Sequence, residues 1–348
     1  MRKNRMRISS INKPVVFITM GDPSGIGPEI IMRSMASPEI KGLAVFVVIG
    51  DKRTMERAWS VLPASARDLC RVDRILKYDR AMLSEDVVNI FDPSPGLADT
   101  GPGFPTEEGA RKALACLDAA VGFMKDVSAG HSAMVTAPLS KERIAGIKKG
   151  FIGHTEYLQK AFSSDFVTMV LKGDKLCVVP VTRHIPIREV ASSLDRSKIE
   201  KTLVQVADNR SLLAGCDHAR IGVTGLNPHC GEGGKIGKEE AEIIAPAIAG
   251  AQRHYARIEG PISADIIFGK ALKGEIDIVV SMYHDQGLGP FKTVDFASGV
   301  NITLGLGQVR TSPDHGTAFD IAGKGIACPR SMEAAIKMAV KAAAAQRQ

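Results

Sequence analysis

The chain has 348 residues, 45% of them hydrophobic and 24% charged, which is typical of a globular protein long enough to form two domains. No apolar run approaches the roughly 20 residues of a membrane-spanning helix, so we expect no membrane partner. The formal net charge is +7 at pH 7, but five positive residues and no acidic one lie among the first fourteen, so we expect no nucleic-acid-binding face on the nearly balanced remainder.

Two features of the sequence bear on the cellular compartment. The basic N-terminal segment precedes an apolar run that is too short for a secretory signal, and we interpret it as a solvated arm, with a docking role as the alternative. The six cysteines are scattered without a CxxC pair, which disfavours a disulfide scaffold and a thiolate zinc site. The sequence therefore predicts a cytoplasmic protein with reduced thiols.

Short β-branched runs alternate with helical patterns along the chain. In chain order, the predicted strands span residues 15–19, 44–49, 133–136, 166–171, 176–181, 220–223 and 276–280. The predicted helices span residues 29–35, 107–125, 155–162, 195–209, 238–253 and 331–345. This alternation predicts an α/β fold with mostly parallel sheets covered by helices.

The segment TMGDPSGIGPE, residues 19–29, joins the first predicted strand to the first predicted helix. Its glycines lie at positions 21, 25 and 27, which is not the GxGxxG spacing of a dinucleotide-binding turn. Pro28 suits the first turn of a helix. We therefore interpret the segment as a strand-to-helix turn and do not predict an ordinary Rossmann site.

The segment GHTEYL places Thr155 where a helix is expected to begin. A helix N-terminus presents free amide groups and a positive dipole end, which suit a phosphate, and His154 and Thr155 add side-chain donors. The alternative is a simple N-cap at Thr155. Later in the chain, Lys292, Asn301 and Arg310 are candidates for clamping a carboxylate or phosphate, although lysine and arginine are common on any surface.

Three histidines, His184, His229 and His284, each follow a predicted strand. Ligands collect at the carboxyl ends of strands in parallel sheets, and three imidazoles with an open position are typical of a catalytic metal site. The alternative is that each histidine is a hydrogen-bonded loop residue, because no local motif such as HExxH supports a site. Asp285 is a candidate for orienting an imidazole, and the glycines at 287 and 289 predict a loosened backbone after His284.

Seven ordered segments resemble the 4-hydroxythreonine-4-phosphate dehydrogenase family of pyridoxal phosphate biosynthesis. They are TMGDPSGIGPEI, VTAPLSKE, GHTEYL, TRHIPIRE, GLNPHCGEGGKIGKEE, MYHDQGLGPFK and GVNITLGLGQVRTSPDHGTAFDIAGKG. Two stretches, GDPSGIGPE and HGTAFDIAGKGIACP, are also distantly similar to loops of isopropylmalate and isocitrate dehydrogenases. The resemblance implies two α/β domains with an active-site cleft between them. We expect residues 1–136 with 302–348 to form the large domain, and residues 137–301 to form a second domain with the metal ligands and a dimer interface.

The resemblance also implies the site residues. The metal ligands would be His184, His229 and His284. The substrate-binding residues would be His154, Thr155, Lys292, Asn301 and Arg310. The cofactor loop would comprise His315, Gly316, Thr317, Ala318 and Asp320. The implied cofactors are NAD or NADP and a divalent metal, zinc or alternatively magnesium, cobalt or manganese. The implied assembly is a homodimer with the active site at the subunit interface.

The implied reaction is metal-dependent oxidation of 4-phosphooxy-L-threonine to a β-keto acid, which loses carbon dioxide to give 3-amino-2-oxopropyl phosphate. Asp285 or a metal-linked water is the expected base. The chain has VTAPLSKE where several such enzymes carry GPVHKG, and Gly307 where LGLP is usual. These departures resemble sister dehydrogenases that act on 4-phospho-D-threonate or 4-phospho-D-erythronate, which leaves two substrates open. A phosphate acyltransferase is the non-redox alternative.

Overall fold

The structure is a computed structural model that describes residues 13–67, 72–75, 79, 83–84, 87–127 and 131–346. The predicted basic arm, apart from Lys13 and Pro14, lies outside the described residues, as does Cys70. The chain divides into two compact units, Met1–Phe162 with Gln308–Gln348, and Ser163–Gly307. The two predicted domains and the cleft between them remain predictions. The predicted boundaries assign residues 137–162 to the second domain and residues 302–307 to the large domain. The structure instead has residues 137–162 in the first unit and residues 302–307 in the second.

Buried apolar runs account for most of the strands. In chain order the strands are β1 Val15–Thr19, β2 Val45–Ile49, β3 Val72–Ile75, β4 Val88–Phe91, β5 Ser132–Thr136, β6 Thr168–Lys172, β7 Cys177–Pro180, β8 Ile221–Thr224, β9 Ile258–Ile262, β10 Ile278–Ser281, β11 Val300–Leu304 and β12 Val309–Pro313. The first unit holds β1 to β5 and β12, and the second holds β6 to β11.

Helices separate most of these strands. They are α1 Gly27–Met35, α2 Lys52–Ser60, α3 Ala64–Arg67, α4 Glu107–Asp126, α5 Lys141–Ile147, α6 His154–Ala161, α7 Val190–Ser193, α8 Arg196–Asp208, α9 Arg210–Ala214, α10 Ala245–Gln252, α11 Ala264–Leu272, α12 His284–Asp295 and α13 Arg330–Ala345. In the described part of the chain, none of them has the length and apolar composition that a bilayer crossing requires.

The first unit contains a parallel sheet with strand order β3-β4-β2-β1-β5-β12. Every residue of β1, β2, β5 and β12 is buried, because helices leave neither face of these strands open to water. Residues 137–162, which include helix α6, belong to this unit. The hydroxyl of Tyr157 on α6 donates a hydrogen bond to Asp118 on α4, which joins the two helices.

The second unit contains strands in the order β11-β6-β7-β10-β8-β9. Strands β11, β6 and β7 pair antiparallel, whereas β7, β10, β8 and β9 pair parallel. The predicted α/β class with mostly parallel sheets is therefore confirmed. Seven strands and six helices lie within two residues of their predicted bounds.

One prediction about local structure is wrong. The segment after β10 is not loosened by its glycines but forms helix α12. A Cβ on Gly287 would lie 2.5 Å from Ser281 Oγ and 2.6 Å from Val178 Cγ1, so glycine allows the helix to pack directly on β7 and β10. The helix predicted at 238–253 is confirmed as a continuous helix over residues 239–252, whose first part, Glu240–Ile244, is π-helical and leads into α10.

Candidate active site

The strands that precede the three candidate histidines are neighbours in the second unit. Strands β7, β10 and β8 are adjacent and parallel, with Ser281 paired to Pro180 and Val280 paired to Val223. Their carboxyl ends therefore reach the same edge of the sheet. The three segments that carry the histidines therefore lie side by side, as their positions at strand ends predict.

His184 and His284 lie together at this edge. Their ring centroids are 5.4 Å apart, with an angle of 48° between the ring planes. The Thr182 hydroxyl donates a hydrogen bond of 2.8 Å to the Met282 carbonyl, which joins the two segments just before the histidines. His284 Nδ1 lies 2.6 Å from Asp285 Oδ1, so the carboxylate holds the proton on Nδ1 and leaves the Nε2 lone pair available to a ligand.

His229 lies on a loop with an unusual backbone. His229, Cys230 and Glu232 have φ values of 52°, 52° and 44°, in the left-handed region that rarely suits residues with side chains. The buried Glu240 carboxylate anchors the start of this loop by accepting hydrogen bonds from the backbone N–H groups of Leu226, at 2.8 Å, and Asn227, at 2.7 Å. The loop is therefore held by specific contacts.

The pair of histidines fits two of the ligands of a divalent ion, because neutral imidazole is a common ligand and two rings lie close together. In the part of the chain that the structure describes, however, no three His, Cys, Asp or Glu side chains form a group able to hold a metal. A single chain thus brings together His184 and His284, but does not bring His229 to them.

The first unit contains a different cluster, centred on Arg310. This residue is only 3% exposed, and its Nε and Nη2 atoms donate hydrogen bonds of 3.2 and 2.7 Å to Oγ1 of Thr136, the last residue of β5. Burial lowers the pKa of the Arg310 guanidinium to about 10, although nearby Glu156 opposes this shift. A guanidinium desolvated to this degree is stabilised by an anion brought close to it.

The N-terminus of helix α6 adds to this cluster. The helix begins at His154, and its N-cap is Gly153 without a side-chain capping bond, so the alternative in which Thr155 is a simple N-cap is wrong. Burial, followed by the charges of Arg310 and Lys141, holds the pKa of His154 well below its usual value. A Cβ on Gly153 would lie 3.5 Å from Lys141 Cε, which places the lysine against the start of the helix. Cationic groups and free helix amides thus converge.

Lys292 and Asn301 belong to the second unit. Lys292 lies on α12 with Nζ 5.3 Å from the centre of the Phe296 ring. Asn301 lies on β11, opposite Leu171, and its side-chain oxygen is buried without a hydrogen-bond partner among the described residues. A buried amide oxygen of this kind is available to a ligand that donates a hydrogen bond.

The predicted cofactor loop follows β12 in the first unit. The backbone N–H of Ile26 donates a hydrogen bond of 2.9 Å to the Thr317 carbonyl, and a Cβ on Gly25 would lie 2.8 Å from that oxygen. Ala318 has a left-handed φ of 41°, and His315 Nδ1 lies 3.0 Å from the Gly316 carbonyl. The chain therefore brings into contact the two segments, GDPSGIGPE and HGTAFDIAGKG, that are each distantly similar to loops of isopropylmalate and isocitrate dehydrogenases.

Glu29 fixes the far end of the same loop. Its buried carboxylate accepts hydrogen bonds from the backbone N–H groups of Gly325, at 3.2 Å, and Ala327, at 2.9 Å. Arg33, one turn later on α1, donates a hydrogen bond of 2.7 Å to the Gly325 carbonyl. The segment between Thr317 and Ala327 is thus attached to α1 and its preceding turn at both ends.

Sequence reasoning missed several residues that build these sites. Thr136 ends a predicted strand, so the strand-end rule had the information needed to find it. Lys141 lies in the TAPLSKE segment, at the start of helix α5, which the sequence analysis did not predict. For Glu29 and Gln286 the sequence holds no comparable signal, because their hydrogen-bond partners are supplied by the tertiary fold.

Comparisons with known proteins follow the same segments. The family described as pyridoxal phosphate biosynthetic protein PdxA matches residues 42–339. A 4-hydroxythreonine-4-phosphate dehydrogenase of Desulfosudis oleivorans is 41% identical over 333 residues, covering 95% of this chain and 97% of the relative. A D-threonate 4-phosphate dehydrogenase of Pectobacterium atrosepticum is 39% identical over 331 residues, covering 94% and 99%. The crystal structure of a 4-hydroxythreonine-4-phosphate dehydrogenase from Klebsiella pneumoniae matches with a TM-score of 0.81 and 36% identity, covering 96% and 99%.

Proposed function

The chain belongs to the pyridoxal phosphate biosynthetic protein PdxA family, and we propose that it is a 4-hydroxythreonine-4-phosphate dehydrogenase. It would oxidise 4-phosphooxy-L-threonine with NAD or NADP to a β-keto acid that loses carbon dioxide to give 3-amino-2-oxopropyl phosphate. This is a step of pyridoxal phosphate biosynthesis, which we propose takes place in the cytoplasm. Beyond the family itself, the observation that supports this function is the cationic cluster around the buried Arg310.

The cluster around Arg310 would hold the substrate phosphate. Arg310 and Lys141 supply positive charge, and the first amides of α6 supply donors at a positive dipole end. His154 is neutral at neutral pH, because burial and its cationic neighbours disfavour its protonation, and it therefore offers one donor. Thr155, Lys292 and Asn301 complete the proposed set of substrate-binding residues.

His184 and His284 would hold the divalent metal, for which we propose zinc, with magnesium, cobalt or manganese as alternatives. When bound, the metal supplies a Lewis acid that lowers the pKa of the substrate hydroxyl and withdraws electrons from the ketone. Asp285 would orient the His284 ring through their 2.6 Å hydrogen bond. We propose Asp285 as the base that receives the hydroxyl proton while hydride passes to the nicotinamide.

A homodimer accounts for the third ligand, His229. We propose that the active site lies at the subunit interface, where the histidine of a second copy of the chain completes the set. In support, apolar side chains are exposed close to the histidines in sequence, with Ile187 at 73% exposure and Ile236 at 47%. We propose that a partner subunit covers these two side chains.

The nicotinamide cofactor would bind at the loop after β12. We propose that its adenosine part is held by the residues that the resemblance assigns, His315, Gly316, Thr317, Ala318 and Asp320. The attachment of this loop to α1 supports the proposal, since a binding loop held at both ends loses little conformational entropy when a ligand binds.

A second candidate function is oxidation of 4-phospho-D-threonate or 4-phospho-D-erythronate. The chain is nearly as similar to the D-threonate 4-phosphate dehydrogenase as to the 4-hydroxythreonine-4-phosphate dehydrogenase, which favours keeping this second candidate. The segment VTAPLSKE favours it as well. NADH formation, followed by absorbance, decides between the substrates when each is supplied with and without added divalent ion. We expect higher kcat/KM with 4-phosphooxy-L-threonine. The reverse order would assign the sister activity, and acyl transfer from coenzyme A without NADH formation would favour the acyltransferase alternative.

A further inference from the structure

A buried glutamine joins the strand ends that carry the candidate metal ligands. We propose that Gln286 is a positioning residue for the metal site, acting through the backbone segments that present the histidines. The inference rests on the proposed metal role of His184 and His284. It concerns a side chain that contacts backbone and hydroxyl groups near the site.

Each hydrogen bond that the structure shows for the Gln286 side chain is made to a residue at one of two neighbouring strand ends. Its Oε1 atom accepts hydrogen bonds from the Met282 backbone N–H, at 2.7 Å, and from the Thr224 hydroxyl, at 2.8 Å. Its Nε2 atom donates a hydrogen bond of 2.8 Å to the Gly225 carbonyl. The side chain thus ties the end of β10 to the end of β8.

These contacts lie within a few residues of the candidate ligands. Met282 precedes His284 by two residues, and Gly225 opens the segment that leads to His229. The Met282 carbonyl also accepts the hydrogen bond from Thr182, two residues before His184. One connected network therefore links the ends of β7, β10 and β8, and each histidine leaves its strand from a segment that the network holds.

Glutamine is the side chain that this position requires. It must accept from two donors and donate to one carbonyl, whereas ionised glutamate has no donor and an apolar side chain has neither function. Replacing it with an apolar residue leaves the buried Met282 N–H and Gly225 carbonyl without this partner. Gly287, the next residue, allows α12 to approach β10 closely, and the glutamine is thereby brought within reach of the ends of β10 and β8.

The test is the affinity of the full chain for Zn²⁺, measured by competition with a chromogenic chelator in wild type and in Gln286→Met. The substitution keeps the side-chain volume and removes all three hydrogen bonds. Loss of groups that orient metal ligands typically weakens metal binding by about tenfold or more, and we expect at least that change. Thr224→Val removes only the hydroxyl bond, and we expect a smaller weakening in the same direction.

Gln205→Met is the matched control in the same unit. Gln205 also bonds one backbone carbonyl, that of Phe166 at 3.0 Å, and one threonine hydroxyl, that of Thr168 at 2.6 Å, but these partners lie at the start of β6. We expect a comparable loss of thermal stability and unchanged affinity for Zn²⁺. Equal weakening in both methionine variants would show a general effect of destabilisation and overturn the inference.

The remaining outcomes separate this inference from the proposed function. Unchanged Zn²⁺ affinity in folded Gln286→Met overturns the positioning role while leaving the metal role intact. If Gln286→Met shows no cooperative thermal transition, Thr224→Val decides, and wild-type affinity in that variant overturns the inference. A wild-type chain that takes up no Zn²⁺ contradicts the proposed metal role and this inference together.

Discussion

The cationic cluster of the first unit and the histidine pair of the second differ in how completely one chain builds them. Around Arg310, strands β5 and β12 and helix α6 bring buried or partly buried groups together within one unit. At the edge of the other sheet, two of three predicted ligands meet, and the Asp285 side chain beside them is 85% exposed. We propose that phosphate recognition is set by rigid elements, whereas the metal site depends also on the loop of His229 and on a second copy.

The largest effect is expected at the histidine pair. His284→Ala removes one proposed ligand and should abolish stoichiometric metal content and lower turnover by about a thousandfold, since a Lewis acid contributes several kcal/mol to the barrier. Elemental analysis and NADH formation measure the two quantities. His131→Ala is the control, because His131 is exposed outside the site. Wild-type turnover in a metal-free His284→Ala protein would contradict the metal role.

A smaller effect is expected in the cationic cluster. Arg310→Met should raise the KM for the phosphorylated substrate by roughly 10- to 100-fold, because a charge-assisted hydrogen bond contributes about 1.5–3 kcal/mol. The KM for the dinucleotide should stay nearly constant. Arg253→Met, at a site whose side chain is 70% exposed, is the control. Equal changes in both Michaelis constants would argue against a substrate clamp.

Glu29→Gln tests whether the attachment of the cofactor loop matters. One of the two backbone N–H groups that Glu29 binds would face an amide NH2 group, so we expect a lower melting temperature and weaker NADH binding by up to about tenfold. Calorimetry and NADH fluorescence provide the readouts. Glu39→Gln, which alters a surface ion pair with Lys337 in the same unit, should change neither quantity appreciably. Unchanged NADH affinity in Glu29→Gln would separate the loop from cofactor binding.

The smallest effect concerns pH. Because the pKa of His154 is lowered in the folded protein, the unfolded state binds more protons below pH 6.5, and stability falls as pH decreases through that value. Above the unfolded-state pKa the effect is absent. The free energy of unfolding of wild type should therefore fall more steeply than that of His154→Gln, by up to about 1.4 kcal/mol per pH unit. Identical slopes between pH 5 and 7 would contradict this assignment.

Strongly apolar runs specify buried strands, and they located seven of the twelve strands that the structure describes. Strand β1 and helix α4 are predicted nearly to the residue, since one is continuously apolar and the other has a clear capping residue at Thr106. Strand β3 was missed because its VDRI sequence is largely exposed, and β9 because its IEGPI sequence contains glycine and proline. Helix α12 was missed because its glycines serve packing against the sheet.

The site was predictable where position relative to a strand or helix end carries the information. Strand ends located the segments of His184, His229 and His284, and a predicted helix start located His154, whereas residue type alone made Arg310 a candidate. The contacts of Gln286 and Glu29 join residues up to 298 positions apart, so no local pattern encodes them. We propose that His229 reaches the metal from a second copy of the chain, and the sequence of one chain does not specify the geometry of such a contact.

The most direct test compares substrate binding and turnover after treatment of the full chain with a chelator. The account predicts that the metal-free protein still binds 4-phosphooxy-L-threonine through its phosphate, as measured by calorimetry. The same protein should form no NADH until divalent metal is restored. Undiminished NADH formation by protein that elemental analysis shows to be free of metal would contradict the division of roles between the two regions.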